Sequence, residues 1–248
     1  MDFSFLHAIN HRPYPMPTRS WVMRMVWHDL LFAHWPVPAE TLQSLIPDGL
    51  ELDTFDGTAW LGVVPFGMRD VNPRGLPDIP LVSRFLELNV RTYVKANGRA
   101  GVWFFSLDAQ NPLAVRGARM AFHLPYMDAR MKLKREAGWI MYSSERTHRN
   151  EPPASFSARY QPVSDVYTSR PGTLEHWLTE RYCLYSTNRT GRIYRGEIHH
   201  APWPLQRAEA VFERNTTTNS LGFNLEGAPT HLHFAHELPV VAWLLEPI

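Results

Sequence analysis

Two carboxylates lie near the ends of one candidate hairpin, Arg84–Asp108, RFLELNVRTYVKANGRAGVWFFSLD. Asn97-Gly98 is a favoured pair for a two-residue type I′ turn, because both central positions need φ > 0. A turn of that length sets the register. Leu88 then faces Leu107, Val90 faces Phe105 and Thr92 faces Trp103 on one surface. Glu87 faces Asp108, Asn89 faces Ser106, Arg91 faces Phe104 and Tyr93 faces Val102 on the other. Like charges directly opposite destabilise a strand pair, so Glu87 against Asp108 requires a cation, a shared proton or a role. Two carboxyls sharing a proton are suited to general acid or base chemistry. The surface that holds them faces either water or a polar cavity, and Phe85, Tyr93 and Phe104 beside them argue for the cavity.

A second group of polar side chains comes from the bend ARMAFHLPYM, Ala118–Met127. Arg119, His123 and Tyr126 stand where a helix must end before Pro125, either aimed into a barrel mouth or merely packing a corner. The histidines suggest metal chemistry more weakly. THLHFAHE puts His231 and His233 on one face of a strand and His236 on the other, with His199 or His200 as distant candidates. Twelve histidines in the chain produce such spacings by chance, so no metal and no cofactor is expected. No G-x-S-x-G elbow is present and Ser106 has no recognisable base. Cys183 reads as a packed thiol inside a helix. NGRAG is a hairpin turn, and NRTG lacks the lysine of a phosphate loop.

The elements that must position these groups are mostly strands. Short runs of β-branched and aromatic residues, punctuated by Pro and Gly, predict ten strands: Trp21–His28, Leu50–Phe55, Ala59–Phe66, Arg84–Ala96, Arg99–Asp108, Ala129–Lys134, Trp139–Ser143, Ile193–His200, Ala208–Glu213 and Thr230–His236. Three helices are expected: Pro38–Ile46, one from Pro112 capped by Asn111, and Thr173–Tyr185 with apolar residues at helical spacing. This balance predicts one α+β domain over residues 1–248, built on a closed or nearly closed, mainly antiparallel curved β-barrel with a few covering helices. The Pro-rich arm within residues 1–19 should be extended and peripheral.

Composition narrows the partners. The 248 residues carry a formal net charge of +1, which offers no electrostatic case for nucleic acid or an anionic membrane. No apolar run is long enough to span a bilayer as a helix, and the N-terminus lacks the basic and apolar regions of a signal peptide. One cysteine excludes an internal disulfide and suits a reducing compartment, so a cytoplasmic protein is expected. Nothing in the composition speaks to assembly of several copies.

Several stretches carry a family likeness. WPVPAETLQSLIPDGLELD (Trp35–Asp53), FLE (Phe85–Glu87) and RMAFHLP (Arg119–Pro125) resemble segments of acetoacetate decarboxylase-like proteins. DLLFAHWPV, NVRTYV, GVWFFSLDA, LTERYCLY and EIHHAPWPL resemble, over nearly the full length, the YqjF-like group (the DUF2071 family) within that superfamily. The resemblance implies a cone-like barrel around an internal ligand cavity, with Glu87 matching a functional carboxylate of the decarboxylases. One departure is decisive for the chemistry. In the decarboxylases two lysines follow the proline of the bend, and one forms a Schiff base with its pKa lowered by the neighbouring cation. Here Tyr126 and Met127 follow Pro125, and neither forms an imine. The three lysines of the chain offer no substitute. Lys132 and Lys134 should face water, and Lys95 should lie at the hairpin tip, about 26 Å from Glu87.

The expected cavity is therefore lined by Glu87, Asn89, Arg91, Phe104, Ser106 and Asp108, with Arg119, His123 and Tyr126 from the bend. It should take a small organic acid or carbonyl compound. Two classes of function stand open. One is an enzyme (a lyase, isomerase or hydrolase) with Glu87, Asp108 and Tyr126 as its reacting groups. The other is a non-catalytic ligand-binding or sensor protein.

Overall fold

The computed structural model describes residues 3–76, 82–225 and 227–248. Its strands are β1 (Met23–Val37), β2 (Glu51–Leu52), β3 (Ala59–Pro73), β4 (Phe85–Ala96), β5 (Arg99–Ala109), β6 (Tyr126–Glu136) and β7 (Trp139–Arg146). They continue with β8 (Ser155–Pro162), β9 (Cys183–Thr187), β10 (Ile193–His199), β11 (Leu205–Asn215), β12 (His231–Ala242) and β13 (Glu246–Pro247). Three α-helices accompany them: α1 (Ala39–Gln43), α2 (Pro112–Phe122) and α3 (Leu174–Thr179).

One sheet holds all the strands, and it closes on itself twice. The first ring runs β1-β3-β4-β5-β9-β10-β12 and back to β1. The second shares β12, β1, β3, β4 and β5 but returns through β6, β7, β8 and β11. The five shared strands form a wall with an apolar core on each side. Phe32, Val64, Phe66 and Leu107 belong to the core of the first ring, whereas Leu31, Val63, Leu88 and Val90 belong to that of the second. A wall buried on both faces loses the apolar/polar alternation that marks a half-exposed strand. This explains why β1 extends well past the predicted end at His28, through the apolar run Leu30–Trp35. Asp29, at φ 51°, sits within the register shift that lets the strand continue.

The Asn97-Gly98 turn has both residues at positive φ, 51° and 75°, as its type demands. Asn111 caps α2 by accepting from the amides of Leu113 and Ala114, and the helix stops at Phe122 with His123 left-handed at φ 48°. The expected helix Thr173–Tyr185 is shorter and changes type. It ends at Thr179, and Cys183–Thr187 is strand β9. The chain is drawn into the sheet there by parallel pairing with β5, Leu184 opposite Val102 and Tyr185 opposite Trp103. The close approach needs Gly101, where a Cβ would lie 2.7 Å from Cys183 Sγ. Tertiary pairing thus overrides the helical spacing of Trp177, Leu178, Tyr182 and Tyr185. Strand β8 was not among the predicted strands, although Phe156, Ala158 and Tyr160 alternate inward along it.

The N-terminal arm runs along the surface but is anchored at Arg12. Arg12 is buried and donates to Glu197 Oε2 at 3.1 Å and to the Ile198 carbonyl at 2.7 Å. Arg99 and Arg195 engage the same buried carboxylate from the other side. No helix among the described residues is long and apolar enough to cross a membrane.

Candidate active site

The hairpin that carries Glu87 folds with a bulge, and the bulge decides which side chains meet. From the turn to Arg91 opposite Phe104 the register is the one a two-residue turn imposes. Phe105 is then extra, so Val90 lies opposite Ser106, Leu88 opposite Asp108 and Glu87 opposite Ala109. The slip of one residue sends Ser106 and Asp108 to the other face of the wall. The expected confrontation of Glu87 with Asp108 does not occur. Asp108 instead receives Arg146 Nε at 2.8 Å on the second ring's side, where both side chains are almost wholly buried. Burial pushes the Asp108 carboxyl upward and Arg146 opposes it.

Glu87 remains in the first ring, where it is 2% exposed. Tyr126, the first residue of β6, brings its hydroxyl to Glu87 Oε2 at 2.7 Å. The backbone reason is the parallel start of β6 against β5, with Tyr126 opposite Leu107. Asn89, two residues along the same face, also bonds the carboxyl through its side chain. Burial dominates the electrostatics and pushes the Glu87 carboxyl up to about 8, while the bonds from Tyr126 and Asn89 oppose the rise. Burial and the adjacent carboxyl likewise push the Tyr126 phenol upward. The result is a carboxyl whose proton equilibrium lies close to neutrality, the condition under which general acid and base catalysis is most effective. Tyr142 fastens the strand beneath it, donating to the Glu87 carbonyl at 2.7 Å and to the Phe66 carbonyl at 3.1 Å.

Arg91 and Phe104 face the same interior, further toward the hairpin turn. The Arg91 guanidinium lies over the Phe32 ring at 5.1 Å and donates to the Leu178 carbonyl at 3.3 Å. Around it stand further polar groups, of which the sequence placed only Tyr93 on this face. Tyr93 donates to the Leu178 carbonyl at 2.8 Å and therefore accepts from His34 Nε2 at 2.6 Å, which leaves His34 Nδ1 as a bare acceptor. His233 holds Glu175 of α3 at 3.3 Å through Nε2, and its Nδ1 is unpartnered. Burial holds both imidazoles below the ordinary histidine range. Trp27, Trp60 and Trp203 add buried indole N–H groups without partners, and so does Arg91 Nε. The alternation of Phe32 and His34 along β1 was the available signal for this lining, hidden because the intervening residues are apolar too.

Arg119 and His123 do not reach Glu87. Arg119 donates to the Tyr126 carbonyl at 2.5 Å, and His123 packs on the Tyr194 ring at 5.0 Å. Both line a cleft of about 680 Å³ where β5 passes from β9 to β6, with Phe104 contributing to its wall. A second cleft of about 410 Å³ lies by the β1 bulge, and two of its arginines, Arg69 and Arg135, are already paired with Asp70, Glu237 and Asp29. Among the described residues, no three His, Cys, Asp or Glu side chains converge as metal ligands. His231 and His233 stack on each other at 6.3 Å, and His236 is exposed. None of the lysines enters the barrel. Lys95 lies 3.5 Å from Asp53 with its side chain 41% exposed, Lys134 pairs with Glu136, and Lys132 is exposed.

Known proteins share this architecture. The acetoacetate decarboxylase of Legionella pneumophila subsp. pneumophila str. Philadelphia 1 is similar over 98% of this chain and 95% of its own, with a TM-score of 0.60 and 13% identity. The enduracididine biosynthesis enzyme MppR complexed with pyruvate is similar over 96% and 93%, with a TM-score of 0.59 and 12% identity. At such identities the likeness is one of fold. Sequence relationship is far closer to the uncharacterized protein YqjF of Bacillus subtilis (strain 168), 46% identical over 230 residues that cover 93% of this chain and 94% of YqjF. The DUF2071 family, described as an uncharacterized conserved protein, matches residues 24–239. A double-ringed acetoacetate decarboxylase-like fold without a lysine at the bend, matched along its length by that family, places the chain in DUF2071.

Proposed function

We propose that the first ring binds a small organic acid or carbonyl compound, and that Glu87 moves a proton on it with Tyr126 as hydrogen-bond donor. The observation that carries this reading is the buried Glu87–Tyr126 pair at 2.7 Å, in which burial raises the carboxyl to about 8. At neutral pH such a carboxyl is mostly protonated and can donate to a substrate oxygen. In its ionised fraction it can take a proton from carbon beside a carbonyl. Buried polar groups are almost always hydrogen-bonded. The unpartnered Arg91 Nε, three indole N–H groups and His34 Nδ1 therefore support a ligand that both accepts and donates. Decarboxylation through an imine is excluded from this reading, since Tyr126 and Met127 follow Pro125 and the three lysines lie outside.

The hold that Tyr126 already has on Glu87 favours a second reading, a binding or sensor protein without turnover. Tyr126 and Asn89 already engage the carboxyl. Proton exchange separates the two. Pyruvate, acetoacetate and 2-oxoglutarate are incubated with the full chain in D2O, and deuterium at the carbon beside the carbonyl is followed by NMR. Exchange above the buffer rate, lost in Glu87→Gln with binding retained, supports the enzyme. Binding without exchange supports the sensor, and exchange unchanged in Glu87→Gln removes Glu87 from the chemistry.

A further inference from the structure

The cleft lined by Arg119 and His123 owes its existence to how β5 changes partners. On one side β5 pairs continuously with β4, apart from the bulge at Phe105. On the other it pairs in parallel with β9 as far as Trp103, and then with β6 from Leu107 onward. Between those points Phe104, Phe105 and Ser106 have no strand beside them. The end of α2 and the residues after it cover part of the split, and the cleft of about 680 Å³ fills the remainder. That volume is in the range of small-molecule sites.

Its lining has a definite chemistry. Trp103, Phe104, Phe105 and Tyr185 supply flat apolar walls, and Arg116, Arg119 and Arg189 supply the charge. No carboxylate among the described residues lines it. Arg116 lies 3.4 Å from Asp128, and Arg119 is held by the Tyr126 carbonyl. Arg189 is exposed. Ser186 is 2% exposed and lines the cleft, yet its Oγ has no hydrogen-bond partner. A buried hydroxyl left unmatched is destabilising, and a ligand oxygen in the cleft would satisfy it.

We propose that this cleft is a binding site for a small organic anion with a flat apolar body, such as an aromatic carboxylate. The carboxylate is held by arginine at the rim and by Ser186, and the ring lies against Trp103 and Tyr185, which pair across β5 and β9 on one face. The proposal does not rest on the function proposed for the Glu87 interior.

The test uses the full chain and 4-fluorophenylacetate, titrated by 19F NMR, with 4-fluorophenylacetamide as the uncharged control. Expected are saturable binding of the acid, about tenfold weaker binding of the amide, and a loss of about tenfold in Arg189→Glu. Ser186→Ala should weaken binding severalfold, and contacts from the probe ring to the Trp103 indole should appear in NOE spectra. Glu87→Gln should bind as the parent does. Arg189 is exposed, so its substitution leaves the fold intact and the result interpretable. Equal binding of acid and amide, insensitivity to Arg189→Glu, or no saturable binding at millimolar concentrations overturns the proposal. Binding lost in Glu87→Gln also overturns it, because it moves the probe into the barrel.

Discussion

The Tyr126 hydroxyl donates to Glu87 Oε2 at 2.7 Å, joining the first residue of β6 to the middle of the first ring's inner face. Glu87 opposes Ala109, and Asp108 faces the other core. The carboxyl is thus governed first by burial and by the phenol, with Asp108 adding a smaller upward push from the other face.

Stability should depend on pH through this group. The folded state keeps the Glu87 proton up to about 8, whereas an exposed glutamate releases it near 4.5. The contribution of Glu87 to stability is fully present below the unfolded value and is lost progressively as pH rises toward the folded one. The slope over that interval approaches about 1.4 kcal/mol per pH unit. Glu87→Gln stays neutral, so its stability relative to the parent should rise across the same interval. Urea unfolding at pH 5, 6, 7 and 8 checks this, and a constant difference would mean that Glu87 is ionised throughout.

Tyr126→Phe removes a bond that favours the carboxylate form. The Glu87 carboxyl should then titrate higher than in the parent, and the protein should lose about 1 kcal/mol of stability. Carbon-13 labelling of glutamate carboxyls, followed by NMR across the titration, reads the shift directly. A downward shift would show that the phenol does not stabilise the carboxylate.

Arg146→Leu leaves Asp108 buried without its cation. The expected loss is about 3–5 kcal/mol at neutral pH. The deficit should shrink on acidification, because burial already pushes the Asp108 carboxyl upward and a protonated acid needs no partner. A pairing Asp108→Asn/Arg146→Leu should recover part of the loss. Denaturant midpoints at two pH values measure both effects.

Gly101→Ala should strain the junction of β5 and β9. The added Cβ would lie 2.7 Å from Cys183 Sγ and 2.8 Å from the Cys183 carbonyl oxygen. Overpacking of this kind costs about 1–3 kcal/mol. Adding Cys183→Ala should give only partial recovery, since the carbonyl remains. Thermal unfolding of the single and double variants tests the pair.

Local chemistry determined a good deal of this protein. Asn97-Gly98 set a tight turn, Asn111 and Pro125 bounded α2, and the strand-rich pattern implied a curved, mainly antiparallel sheet. Tyr126-Met127, which cannot form an imine, stands where the resemblance to the decarboxylases would put a lysine pair. Glu87 and Tyr126 were both legible as candidate site residues, but their mutual contact was not. Tertiary structure decided the rest. The bulge at Phe105 separated Glu87 from Asp108 and sent Ser106 to the other face. Parallel pairing with β5 turned the second half of an expected helix into β9. The reason is common to both: a strand's side-chain alternation is set one residue at a time. A single extra residue, or a neighbour that arrives from eighty residues away, reassigns faces without leaving a local trace. The double closure of the sheet hid the interior still further, because strands buried on both sides do not announce which face holds the site.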